Sequence, residues 1–205
     1  MRIKMFALAA VALIIIATVG PAFAERNILT PTGVTLGTGR FRVEGIVQAD
    51  DTDNRTYWAG IGLSRFEVEG QRVETAESDS ADLFNFELSL MPQTTFTPAV
   101  GVGVIDAADQ LNRSFYGAVT KTVPLTDSLP LPLRDIRLTI GIGSGSISGV
   151  FAGAEATLLG FKLQAEYDSE DINASIGFPI LGVATAKAMW IKDDFYVGVE
   201  VKPKF

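Results

Sequence analysis

From Asp135 to Phe205 the chain alternates between two kinds of side chain in steps of two. Ile136, Leu138, Ile140 and Ile142 are interleaved with Arg137, Thr139, Gly141 and Gly143. The same rhythm recurs over Val150–Leu158, Phe161–Asp168, Ile172–Phe178, Ala184–Trp190 and Phe195–Lys202. A period of two belongs to β-strands, whose successive side chains point to opposite faces. Each of these strands has one apolar face and one face of small, polar or charged residues. The connections are short (Gly160, Ser169–Asp171, Leu181–Gly182, Lys192–Asp194), so sequence neighbours pair as antiparallel hairpins.

Upstream the pattern predicts strands over about Arg40–Gln48, Tyr57–Val68, Phe84–Leu90, Pro98–Ile105 and Ser114–Thr122. Along Tyr57–Val68 the apolar set moves from odd to even numbers, which a β-bulge near Ser64–Arg65 would produce. Gly70–Asp82 reads as the longest loop. Glu25–Gly39, with Pro31 and Gly33, reads as a turn-rich lead-in that includes a short strand at Val34–Leu36. Pro124–Pro132 reads as an irregular connection and Ser144–Gly149 as a flexible turn. The count is eleven strands plus a twelfth near Val34.

Alternation alone does not choose between a water-soluble sandwich, whose apolar faces meet in a core, and a membrane barrel, whose apolar faces meet lipid. Three features favour the barrel. The polar face carries Arg42, Glu44, Glu87, Arg137, Glu155, Lys162, Glu166, Asp168, Lys187, Glu200 and Lys202, charges of both signs suited to a hydrated lumen. The apolar face is almost free of charge, Lys121 being the exception at a strand end. The chain also stops on Phe205 just past an alternating strand, which resembles the terminal signal read by the barrel-insertion machinery; Pro203 departs from that pattern. The predicted fold is therefore all-β: an antiparallel up-and-down transmembrane β-barrel of about 12 strands (10–12), in outer-membrane lipid. Closure leaves no strand edge unpaired.

The start of the chain supports export. Arg2 and Lys4 precede an uncharged run, Met5–Val19, and Ala22-Phe23-Ala24 has the form of a cleavage site. Residues 1–24 are expected to be a signal peptide and 25–205 a single barrel domain. Cleavage after Ala24 removes two of the 17 basic residues and none of the 24 acidic ones, so the mature chain carries about nine net negative charges. That excludes a nucleic-acid partner. There is no Cys, hence no disulfide or thiolate metal site, and no His, the commonest general base and metal ligand.

Little in the chain suggests catalysis, and no cofactor or metal is expected. Gly37-Thr38-Gly39 and Gly101-Val102-Gly103 lack the Lys-Ser/Thr and the following helix of a phosphate loop. Glycine at every second strand position more simply reduces bulk on one face. Ser144, Ser146 and Ser148 have no His to activate them. The acidic run Asp50–Asp53 lacks the Gly and distal Glu of a calcium loop, so it reads as a solvated loop tip. Glu166 and Asp168 share a strand face and could form a carboxylate pair for glycoside hydrolysis. A lumen ion-pair cluster with Lys162, Arg137 or Lys187 is the simpler reading.

Leu29-Thr30-Pro31-Thr32 precedes the first strand. Pro98-Ala99-Val100-Gly101-Val102-Gly103 is followed by Asp106 and then by Tyr116–Lys121, and Ala165-Glu166-Tyr167-Asp168 is followed by Asn173. Together these resemble the YjbH-like outer-membrane proteins, over most of the chain but through short motifs. The resemblance implies a non-enzymatic barrel associated with exopolysaccharide production and export, with polysaccharide or its export proteins as partners. It carries over no catalytic residue. Two other functions stay open: a small passive, porin-like pore and a soluble secreted β-sandwich binding module.

Overall fold

The computed structural model describes residues 26–76, 78–125, 133–180 and 182–202, residues 78 and 79 by their backbone alone. The signal peptide assigned to residues 1–24 and the terminal Phe205 lie outside the described residues. Twelve antiparallel strands close into a barrel, each paired with its sequence neighbours and β1 with β12. In chain order they are β1 Phe41–Gln48, β2 Arg55–Leu63, β3 Phe66–Thr75, β4 Ser78–Met91, β5 Ala99–Ile105 and β6 Ser114–Pro124, followed by β7 Leu133–Gly143, β8 Gly149–Leu158, β9 Phe161–Tyr167, β10 Ile172–Ile180, β11 Ala184–Ile191 and β12 Asp194–Val201. The closing seam sets Val43 against Val201 and Gln48 against Tyr196, with no register shift between them.

The twelfth strand is not where the sequence pattern put it. Tyr57–Val68 is two strands, β2 and β3, joined by a two-residue turn at Ser64–Arg65 with Ser64 at φ 61°. A hairpin turn and a bulge displace the apolar phase in the same way, and the turn is what forms here. Val34–Leu36 forms no strand, and Thr38 makes a lone parallel bridge to Gly62. Gly70–Asp82 is likewise no loop. β3 and β4 continue through it as a hairpin in which Arg72 pairs with both Glu74 and Asp82, and Glu74 also takes Arg55 from β2. Arg72, Glu74 and Asp82 share the outward face of the hairpin, which extends past the level at which the neighbouring β5 ends. Ser144–Gly149 contains a short 3-10 turn, Gly145–Ile147, with Ile147 tucked against Tyr116 and Phe151.

Facing follows the pleat. Outward-pointing Val43, Ile61, Leu138, Ile140, Ile142, Val197 and Val199 are exposed, whereas their neighbours Arg42, Glu44, Arg137, Thr139 and Glu200 are buried inside. Aromatic residues ring both ends of this belt. Phe66, Phe161 and Phe178 lie toward the end that carries Phe41 and Val201, and Tyr57, Phe115, Tyr167 and Trp190 toward the other. An apolar belt with aromatic girdles is the surface a bilayer requires, and a soluble protein rarely exposes so large a contiguous apolar area. Lys121 does not break the belt. Its ammonium lies at the barrel's rim and donates to the carbonyls of Thr94, Thr95 and Thr97 in the β4–β5 turn.

Candidate functional site

The candidate site is the lumen, and its main occupant is the chain itself. The lead-in from Arg26 to Leu36 enters the barrel rather than lying on its surface. Asn27, Ile28, Thr30, Thr32 and Leu36 are all buried. The segment touches the wall nearly all the way round. Leu36 N–H donates to Glu67 of β3 at 2.7 Å, and Gly33 N–H to the Thr120 hydroxyl of β6 at 2.9 Å. Asn27 packs on β8, and Arg26 returns to β1 and β3.

Glu166 of β9 makes the tightest hold. Its carboxylate accepts from the amides of Ile28 (2.9 Å), Leu29 (2.8 Å) and Thr30 (3.0 Å), and from the Thr30 hydroxyl (2.8 Å). Asn173 Nδ2 donates to it from β10. A Pro- and Gly-containing segment has no ladder of its own to satisfy its amides, so buried acceptors on the wall must do so. The wall makes room through glycine. A Cβ at Gly153 would lie 2.3 Å from the Asn27 side chain, and one at Gly101 would lie 3.0 Å from Gly33 Cα.

Arg26 is the first described residue of the segment. Its guanidinium donates to Glu44 Oε2 at 2.7 Å and to Glu69 at 3.2 and 3.3 Å, and it stacks 4.0 Å above the Trp58 ring. Its Nε donates to the Ile28 carbonyl at 3.0 Å, which curls the segment back on itself.

The inward charges fall into two networks. Around β1, β3, β11 and β12, Lys187 bridges Glu44 (2.7 Å) and Glu200 (3.1 Å), Lys202 pairs with Glu200, and Arg42 pairs with Glu69 and Glu67. Across β7 to β9, Glu155 receives Arg137 (2.7 Å), Lys162 (3.4 Å) and Gln164. Glu87 accepts from the Tyr116 hydroxyl at 3.1 Å, while its other oxygen has no partner.

Glu166 and Asp168 therefore do not form the expected cluster with Lys162, Arg137 or Lys187. Those cations serve Glu155, Glu44 and Glu200, Glu166 serves the N-terminal segment, and Asp168 accepts from Asn173 and from the amides of Glu170 and Asp171 in the β9–β10 turn. The sequence pattern omitted Arg26, Glu67 and Glu69. Once Ser64–Arg65 is a turn, the phase of β3 turns Glu67 and Glu69 inward, and both are buried. Among the described residues the inward set becomes Arg40, Arg42, Arg137, Lys162, Lys187 and Lys202 of the wall, with Arg26 of the segment, against Glu44, Glu67, Glu69, Glu87, Glu155, Glu166, Asp168 and Glu200, seven cations facing eight carboxylates.

Above the N-terminal segment a cavity of about 300 Å³ remains, reaching from Arg26, Trp58 and Glu69 up to the loops that carry Asp106, Glu170 and Lys192. Asp106 organises that mouth. Burial opposes its ionisation, but the amides of Gln110, Leu111 and Asn112 all donate to its carboxylate, and Arg113 adds an attractive charge. These hold the carboxyl below the usual aspartate range. Among the described residues no group of acidic, His or Cys side chains is arranged to hold a metal.

No protein-family model matches the chain, and no curated protein matches it. Among solved structures, "KdgM porin in complex with disordered oligogalacturonate" is similar, with a TM-score of 0.52 and 12% sequence identity. The alignment covers 79% of this chain and 98% of that one. At that identity the likeness concerns the fold, and what it shares with this chain is the closed antiparallel barrel.

Proposed function

We propose that the chain is a non-enzymatic barrel of the bacterial outer membrane, closed by its own N-terminal segment, that serves envelope polysaccharide assembly or export through its loops and periplasmic face. The observation that carries this reading is the buried Arg26–Leu36 segment, held by Glu166 and spanning the lumen from wall to wall. The apolar belt with its two aromatic girdles supports a membrane location, and the YjbH-like motifs supply the polysaccharide role. Phe205 is the contact offered to the barrel-insertion machinery. A lumen crossed by peptide and by ion pairs of both signs lacks the single-sign ring of a dedicated ion pore. Planar-bilayer recording of the purified barrel tests closure: little or no steady conductance is expected, and stable channels of large conductance would remove the reading. Cell fractionation with heat-modifiability on a gel tests the location.

A second reading, a passive porin-like pore, is favoured by the likeness to a porin fold and by the cavity above the segment. It requires the segment to leave. The neighbour's oligogalacturonate, a polycarboxylate, does not carry over, because the cavity above the segment is lined by six carboxylates against three cations, which would repel it.

A further inference from the structure

We propose that the lumen wall contains a binding site for a guanidinium-bearing ligand, formed by Glu44, Glu69 and Trp58, and that Arg26 is its intramolecular occupant. The geometry is that of a receptor. Two carboxylates on different strands take the guanidinium edge, from β1 at 2.7 Å and from β3 at 3.2 Å, and the Trp58 ring takes its face at 4.0 Å. Edge-on carboxylates combined with an aromatic face select a planar cation over an ammonium ion. The Arg26 side chain is only 9% exposed, so the recognition is desolvated rather than a surface pairing.

Three observations make this a site that can exchange its occupant. The first is that each carboxylate keeps a wall cation if Arg26 leaves: Lys187 stays 2.7 Å from Glu44, and Arg42 stays on Glu69. Departure of Arg26 therefore strands no buried charge, the event that makes most broken buried pairs so costly. The second is access, since Arg26, Trp58 and Glu69 all line the cavity that rises to the loop end. The third is the field. That cavity is lined by Glu67, Glu69, Glu87, Asp106, Asp168 and Glu170 against Arg26, Arg42 and Lys192, six carboxylates to three cations, which concentrates cations and excludes anions. A free arginine, agmatine or guanidinium ion entering from the loops competes with Arg26 for the site. Its binding releases the tip of the N-terminal segment. The proposal rests on the geometry of the segment and is independent of any polysaccharide role.

Trp58 supplies the readout. The chain has two tryptophans, and Trp190 faces outward in the apolar belt, so Trp190→Phe leaves Trp58 as the single tryptophan, excited selectively over the tyrosines. In that background, folded in detergent, Arg26→Ala empties the site. Agmatine should then change Trp58 emission saturably, and an equal concentration of a tetramethylammonium salt should not. Glu69→Gln added to Arg26→Ala should weaken the agmatine response about tenfold or more, the scale of one charged hydrogen bond. A linear response, or one equal for both salts or unchanged by Glu69→Gln, overturns the proposal. The unsubstituted protein gives a second test that requires no variant to fold. Agmatine should speed hydrogen exchange at Ile28–Thr30, and exchange unaffected at saturating agmatine would also overturn it. Conductance is not the readout, so failure here leaves the closed-barrel reading standing, and failure of that reading leaves this test intact.

Discussion

Glu166 shows what one residue does in this lumen. It satisfies three amides and a hydroxyl of a segment more than 130 positions away. Glu166→Ala strands those donors, at about 1–3 kcal/mol for each donor left unsatisfied. The expected result is faster hydrogen exchange and proteolysis at Ile28–Thr30 while the barrel stays heat-modifiable. Protection of Ile28–Thr30 unchanged in the variant would show that the carboxylate does not hold the segment. Facing can be tested at one pair of neighbours. Ala186 points outward beside Val199, and Thr185 inward beside Glu200. Ala186→Arg should lose ~2–4 kcal/mol near the bilayer midplane, and Thr185→Arg distinctly less, by urea unfolding in lipid vesicles. The opposite order would reverse inside and outside. At the mouth, the depressed Asp106 carboxyl stabilises the β5–β6 loop above the ordinary aspartate range, and that contribution is lost as pH falls through its lowered folded value. Amides 110–112 should lose exchange protection at acid pH, and Asp106→Asn should remove the pH dependence.

At the scale of elements, the strands were the readable part. Ile136, Leu138, Ile140 and Ile142 announce β7 because each one-residue step flips the side chain across the wall. The turn at Ser64–Arg65 was not readable, since two strands meeting at a two-residue turn and one bulged strand leave the same phase slip. The protruding β3–β4 hairpin was hidden because the outward face of its solvated upper part is charged, through Arg72, Glu74 and Asp82, and resembles a loop when only hydrophobicity is counted. The N-terminal segment was hidden for a different reason. Thr30-Pro31-Thr32-Gly33 has the composition of a surface turn, and the groups that make its burial tolerable, Glu166, Thr120 and Glu67, lie far away in the chain. One signal did point to it. Glycines at inward positions such as Gly101 and Gly153 thin the wall where the segment lies, and a lumen filled only by side chains would not need that space.

For the whole molecule, deleting residues 26–36 is the decisive change. The barrel should survive, because its twelve-strand ladder makes no use of the segment, and single-channel recordings should pass from closed to conducting. Among the described residues the opened lumen retains eight inward carboxylates against six cations once Arg26 is gone. Its reversal potential in a salt gradient should accordingly indicate preference for cations. A deletion variant that stays non-conducting would mean that the wall ion pairs alone close the lumen.

The placement of Glu166 on β9 also has a bearing on assembly. A segment at the start of the chain takes its tightest hold from β9 and β10, so its full binding surface does not exist until most of the sheet has been made. Contacts of such sequence separation form slowly and late. The empty barrel should therefore exist transiently as a hydrated, open intermediate, and protection at Ile28–Thr30 should appear only after the β1–β12 seam has closed. Pulse-labelled exchange during refolding should resolve two phases, seam amides first and segment amides second; simultaneous protection would place the segment inside the sheet's own nucleus. The seated segment would then serve as a marker that the barrel is finished.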